Sequence, residues 1–306
     1  MKAVGPPWFS DLLNRGDVVI IDGATGTELQ ARGVPMIGKG WSVLGQLDYP
    51  EILQKLHEDY IRAGSSVIIT NTFAAGRHML EPAGLGDRVA DAHQLAVEIA
   101  KRARDEVGTP VVVAGSVSSY MADSHDSDWL KRLDDTYREQ VELLAESGVD
   151  VIALEMMEST EISGPAVEAA LASGLPVWLG MSAKQVGGSL LTSYPLEDLD
   201  FAETARELID PSVAAVFVMH TACDDTAPAL EVVREIWDGP LGVYPEAGHF
   251  EEPYWHFVDS VGPDELVEFT REWVASGAQM LGGCCGFSVE HIEALTTAYQ
   301  APTGQG

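Results

Sequence analysis

The sequence predicts an α/β fold, one (β/α)8 TIM barrel domain over residues 1–306, on three observations. Eight short β-branched runs are spaced along the chain, and each is nearly continuous in apolar residues, as strands buried on both faces are. Segments with apolar residues at helical spacing separate these runs, and several end on a glycine. No linker or low-complexity tract interrupts the series, and a hydrophobic content of 46% supplies a sizeable core. Alternation of strand and helix eight times closes most economically as a barrel, with a doubly wound sheet as the competing arrangement.

In chain order, VVIIDGA (18–24) opens the series and VIITNTF (67–73) follows. Between them PEILQKLHEDYIRAG (50–64) has Pro near its start, an apolar face, and Gly past its end, which is the grammar of a capped helix. VVVAGSV (111–117) is the third strand, and LDDTYREQVELLAESG (133–148) repeats the helix-to-glycine join before VIALEM (151–156). A helix around 166–174 leads to VWLGMS (177–182), then AAVFVMH (214–220) and LGVYPEAG (241–248). PDELVEFTREWVASG (263–277) is the last well-marked helix before QMLGGCC (279–285). The longer connections, 24–66 and 118–150, are expected over the barrel mouth, and 301–306 is expected to be a disordered tail.

Charge narrows the function. Against 18 Lys and Arg stand 48 Asp and Glu, a net charge of -30, which repels nucleic acid and favours solubility. No signal-peptide pattern and no run near the ~18 apolar residues of a membrane span is present, and three cysteines make no disulfide framework. A cytoplasmic protein without a membrane partner is expected.

Barrel enzymes place their chemistry at the C-terminal ends of the strands. Those ends carry Asp22, Thr70, Asn71, Ser116, Glu155, Ser182, His220, Glu246, Cys284 and Cys285. Singly, each has a structural reading as a cap, an ion pair or a turn residue; gathered at one rim they read as a site. Cys223 follows the sixth strand closely, so three thiols can meet above the mouth, a ligand set suited to a catalytic zinc with one open position. Adjacent cysteines cannot share one face of a regular strand, and Gly282, Gly283 and Gly286 free the backbone to turn both sulfurs the same way. The alternative is that these are small buried apolar residues. Trp41 is either a cation-π wall for a positively charged ligand or an ordinary packed tryptophan. His57, His78 and His93 read as structural or exposed.

At this point the residues resemble a known family. GGCCG with SVEHI two residues on, DGATGTELQARG (22–33), GWSV (40–43) and HEDYIRAGSSVIITNTF (57–73) are similar to the signatures of the homocysteine S-methyltransferase family, in the same order along the chain. The resemblance implies a (β/α)8 barrel that carries Zn2+ on three cysteines and moves a methyl group onto the sulfur of homocysteine, giving methionine. It implies Cys284 and Cys285 as ligands, and Asp22, Gly23, Thr70 and Glu155 as the homocysteine pocket. The segments GTELQARG and WSV look closest to the branch that uses S-methylmethionine or S-adenosylmethionine as methyl donor. Folate-dependent relatives are expected to need further domains.

Two departures bear on this. The family reads Asn-Cys at the end of the sixth strand, whereas VFVMHTACDD puts Met219 and His220 there and Cys223 three residues later. Cys223 is favoured as third ligand, because a third thiolate keeps the metal electron-rich, with His220 as the alternative. Glu246 stands where many relatives carry Asn. Another methyl donor, a different thiol or a selenol acceptor, a non-catalytic metal- or thiol-binding barrel, and a metal-free lyase or hydrolase using Glu155 as base all stay open, as does the oligomeric state.

Overall fold

In the computed structural model, residues 3–120, 127–192, 199–251, 254–257 and 261–300 are described. The expected tail at 301–306 lies outside them. Eight parallel strands form the barrel: β1 (Val19–Ile20), β2 (Val67–Ile69), β3 (Val112–Ser118), β4 (Val151–Glu155), β5 (Val177–Met181), β6 (Ala215–Ala222), β7 (Leu241–Glu246) and β8 (Ala278–Leu281). Each falls within or overlaps one of the eight apolar runs. Every strand pairs with its sequence neighbour, β8 pairs with β1, and a parallel bridge from Ile21 to Val67 closes β1 onto β2. The doubly wound alternative is therefore excluded.

A helix of the outer ring follows each strand, with further short helices after β1 and β2: α1 (Pro50–Arg62), α2 (Val89–Val107), α3 (Ser127–Ser147), α4 (Thr160–Ala172), α5 (Phe201–Leu208), α6 (Cys223–Ile236), α7 (Pro263–Ala275) and α8 (Val289–Tyr299). The glycines after α1, α3, α4 and α7 (Gly64, Gly148, Gly174 and Gly277) all have positive φ, as the helix-to-glycine joins anticipate. The connection 118–150, expected as a mouth loop, is largely α3. Among the described residues no helix is long and apolar enough to cross a membrane.

Strand alternation separates two cores. Outward residues such as Ile20, Ile68, Val113, Ile152, Leu179, Val216 and Val243 meet the helices. Inward residues such as Val19, Val67, Ala153, Trp178, Phe217 and Met280 fill the barrel. Large residues are admitted by small ones opposite: a Cβ on Gly242 would lie 2.1 Å from the Phe217 ring. An N-terminal helix, Pro7–Asn14, plugs the far end, where Phe9 stacks on Trp178 at 5.8 Å and Trp178 donates its indole N–H to the Val4 carbonyl at 2.8 Å. These rings fill the barrel interior at that end.

Two antiparallel hairpins not evident in the sequence rise at this rim, Ala183–Val186 with Ser189–Thr192, and His249–Glu251 with Tyr254–His256. The second is tied to the helix Gly26–Ala31: the Gln30 side-chain amide donates to the Trp255 carbonyl at 3.1 Å and accepts from the Trp255 N–H at 3.0 Å.

Candidate active site

A cavity of about 550 Å³ occupies the mouth. Its polar lining includes Thr70 and Asn71 beyond β2, Glu155 at the end of β4, His220 in β6, Glu246 at the end of β7, and Cys284 and Cys285 beyond β8, together with Thr25, Lys184, Asp225 and His249. Trp41, Phe73, Tyr120 and Trp255 form aromatic walls.

Because β8 ends at Leu281, the cysteine pair lies in the following turn and escapes strand alternation. The turn is strapped to the end of β7 and the residue that follows it: Cys284 N–H donates to the Pro245 carbonyl at 2.7 Å, and Ala247 N–H donates to the Cys285 carbonyl at 2.8 Å. Gly286 adopts φ +89°, and a Cβ on Gly283 would lie 2.6 Å from Phe287, so glycine is needed at both places. The result holds the two sulfurs 3.8 Å apart.

His220 arrives by a different device. The pairing of β6 with β7 is irregular between Met219 and Ala222, and His220 itself has φ +47°. That turn of the backbone delivers its ring to the mouth. Nε2 lies 2.8 Å from Glu155 Oε2 and 4.0 Å from Cys284 Sγ, while Nδ1 lies 3.6 Å from Glu246 Oε2. Among the described residues, the non-glycine positions with positive φ are Trp41, Met156 and His220, and all three line this cavity. Each such conformation costs about 1–3 kcal/mol and persists where the surroundings over-determine it, as they do at sites.

The polar groups are buried and coupled. Glu155, 3% exposed, accepts from Ser116 Oγ at 2.5 Å through its other oxygen. Burial pushes the Cys284 thiol well up, the adjoining Cys285 adds to this, and His220 opposes it. For His220, burial disfavours the charged ring, but Cys284, Glu155 and Glu246 outweigh it and raise its pKa. The two shifts are not independent: a neutral Cys284 thiol leaves the Glu155 carboxylate, at 2.8 Å, as the partner that raises His220.

The structure thus brings Thr70, Trp41, Glu155, His220, Cys284 and Cys285 together. Asp22 and Gly23 do not reach the cavity. Asp22 is fully buried beneath it, where Oδ2 accepts the Ile69 N–H at 2.7 Å and Oδ1 lies 3.3 Å from the Tyr244 hydroxyl. Burial pushes its carboxyl well above the usual range, against both of these hydrogen bonds. The Gly23 carbonyl accepts from the Tyr244 hydroxyl at 2.9 Å, and a Cβ there would strike Tyr60 and the Phe287 carbonyl.

Cys223, the favoured third ligand, is also not at the mouth. Strand β6 runs on to Ala222, so Cys223 begins α6 and packs in the apolar layer between strands and helices. Burial raises its thiol to about 12, with Asp224 and Glu265 adding to the effect. Among the described residues no three His, Cys, Asp or Glu side chains form a ready-made metal cage, so the expected three-sulfur set is not assembled. Ser182 is buried without a hydrogen-bond partner and lies outside the lining. Phe73, Tyr120, Met156 and Trp255 line the cavity and were not singled out from the sequence; Phe73 and Met156 were signalled only as the last residues of their apolar runs.

The sequence model of the homocysteine S-methyltransferase family matches residues 19–299. The chain belongs to the homocysteine S-methyltransferase family. The homocysteine S-methyltransferase of Escherichia coli (strain K12) is 30% identical, across 93% of this chain and 96% of that one. The selenocysteine methyltransferase of Astragalus bisulcatus is 26% identical, across 97% and 98%. The crystal structure of the homocysteine methyltransferase MmuM from Escherichia coli, in its metallated form, superposes with a TM-score of 0.78 at 26% identity, covering 94% of this chain and 98% of that one. As a member of the homocysteine S-methyltransferase family, the chain is a methyltransferase enzyme on a (β/α)8 barrel.

Proposed function

We propose that the enzyme transfers a methyl group from a sulfonium donor, S-methylmethionine or S-adenosylmethionine, to the thiol of homocysteine, with zinc held by Cys284, Cys285 and His220. The observation that carries this reading is the pair of sulfurs facing a buried imidazole inside the mouth cavity. Two thiols and an imidazole are all preferred zinc ligands, and tetrahedral bonds of ~2.3 Å place two sulfurs about 3.8 Å apart, the spacing found for Cys284 and Cys285. His220 replaces Cys223 in this reading because its Nε2 lies 4.0 Å from Cys284 Sγ, whereas Cys223 does not line the cavity.

When bound, zinc lowers the pKa of an incoming thiol so that it reacts as a thiolate at neutral pH. The remaining work falls to positioning. Glu155 and Thr70 face the cavity and suit the ammonium of the acceptor amino acid, while Asp22 props Tyr244 and β2 from beneath. The aromatic walls exclude water and offer π faces to a sulfonium, and Glu246 and Asp225 add negative charge at the rim. Attack is in line: the acceptor sulfur forms the new S–C bond, the donor C–S bond breaks with its electron pair going to the donor sulfur, and a neutral thioether leaves. The acceptor's proton passes to solvent, so Glu155 is a binding group and no general base is required.

The test is a donor screen against homocysteine with zinc content measured on the same preparation. Methionine formed from a sulfonium donor by zinc-loaded protein is expected; absence of methionine with every donor, or full activity in protein stripped of zinc, overturns the reading. A selenol acceptor is the second reading, favoured by the likeness to the Astragalus bisulcatus enzyme, and selenocysteine in the same screen decides it.

A further inference from the structure

Trp41 is carried into the mouth by a closed loop. Its backbone exchanges two hydrogen bonds with Ile37, at 2.8 and 3.0 Å, and its own φ is +40°. Those bonds fix the shape of the loop but not its place on the barrel. That place is set by Asn71, just beyond β2. Asn71 Nδ2 donates to the Ser42 carbonyl at 2.9 Å and to Gln46 Oε1 at 2.6 Å, and its Oδ1 accepts from Ser42 Oγ at 2.8 Å. The Asn71 carbonyl accepts from Gln46 Nε2 at 2.8 Å. Ser42, Gln46 and Asn71 are all buried. Both amide hydrogens of Asn71 are taken up by the loop, so although it borders the cavity it has no side-chain donor left for a ligand.

The indole rests on Gly26, where a Cβ would lie 2.3 Å from the ring. Phe73 meets it edge-on, with centroids 6.4 Å apart, and lies 5.4 Å from the Tyr120 ring in turn. These three rings share the cavity with Glu155, Asp225 and Glu246. Aromatic faces beside carboxylates attract a cation more than a neutral molecule of the same shape. We infer that Asn71 is a positioning residue for the methyl donor, holding Trp41 at the wall that receives the sulfonium. This rests on the sulfonium donor proposed above.

The test is calorimetric titration of the protein with S-methylmethionine and with homoleucine, its uncharged carbon isostere. Trp41→Leu is expected to weaken S-methylmethionine binding ~3–30-fold, the range of one cation-π contact, and homoleucine binding less. Asn71→Ala is expected to reproduce that selective loss. In a Trp41→Leu background it is expected to add nothing, as for two residues acting through one contact. Equal losses for the two ligands, or an Asn71→Ala loss that adds in full to that of Trp41→Leu, overturn the assignment. Should Asn71→Ala not fold, as judged by circular dichroism, Ser42→Ala removes the bond to Asn71 Oδ1 alone. It is expected to show the same selectivity on a smaller scale, and an unselective or absent loss there overturns the assignment. Selective loss in Trp41→Leu with wild-type affinities in Asn71→Ala removes only the role of Asn71. A wild-type protein that does not distinguish S-methylmethionine from homoleucine removes the sulfonium reading, and this assignment with it.

Discussion

Replacing His57 by leucine is expected to flatten the acid side of the stability profile. His57 lies on α1, is fully buried, and has no hydrogen-bond partner on either ring nitrogen among the described residues. Burial lowers its pKa from 6.5 to about 4, because charging the ring there has no compensation. The unfolded chain therefore binds this proton between pH 6.5 and pH 4 while the folded protein does not. Stability from this site is full above pH 6.5 and is lost as pH falls toward 4. At 1.36 kcal/mol per pH unit the loss reaches about 3 kcal/mol. His78, also lowered to about 4 by burial, keeps its own share in the variant. The assay is urea unfolding followed by circular dichroism at pH 7 and pH 4.5. Between these values the wild type is expected to lose ~2–3 kcal/mol more than His57→Leu. Identical losses would refute the view that the ring is held neutral by burial.

At the mouth, Cys284→Ala and Cys285→Ala are each expected to abolish methyl transfer with the far-UV spectrum intact; activity in either variant removes the zinc-thiolate reading. Cys223→Ala is expected to keep bound zinc and turnover, at a packing cost of about 1 kcal/mol, and zinc lost on purification of that variant would restore Cys223 as a ligand. Asp22→Ala removes the acceptor for the Ile69 N–H and is expected to lower unfolding free energy by ~1–3 kcal/mol; unchanged stability would show that this bond does not help join β1 to β2. With a net charge of -30, the thermal midpoint is expected to climb as chloride salt is raised to about 1 M, where the screening length falls to ~3 Å. A flat midpoint would show that surface repulsion does not limit stability.

The barrel was legible because its strands are buried on both faces, so each appears as an apolar run whatever happens at the rim. Helix ends were legible where a glycine takes a left-handed backbone. The cysteine pair was legible from the glycines on either side of it, which leave the backbone free to turn there. Residues delivered by irregular backbone were not. His220 enters the mouth through a positive φ at a break in β6 pairing, which strand alternation cannot foresee. Cys223 was favoured for its chemistry, yet the two further residues of β6 carry it past the rim into α6. Asp22 was placed in the pocket as a strand-end residue, but β1 is only Val19–Ile20, and the chain bends so that the carboxylate closes the seam to β2. Trp255 sits on a hairpin more than 200 residues from Trp41 in the sequence, and no local pattern joins them.

The amide of Gln30 grips Trp255 as a neighbouring strand would, through one donated and one accepted bond. A gate that swung the hairpin outward alone would have to break both, at roughly 1–3 kcal/mol, or drag the Gly26–Ala31 helix with it. Outward movement of the hairpin would thereby pull on the segment bearing Thr25 and Gly26, which line the chamber itself. Loosening the latch at position 30 would change how fast ligands come and go without touching a single atom that reacts.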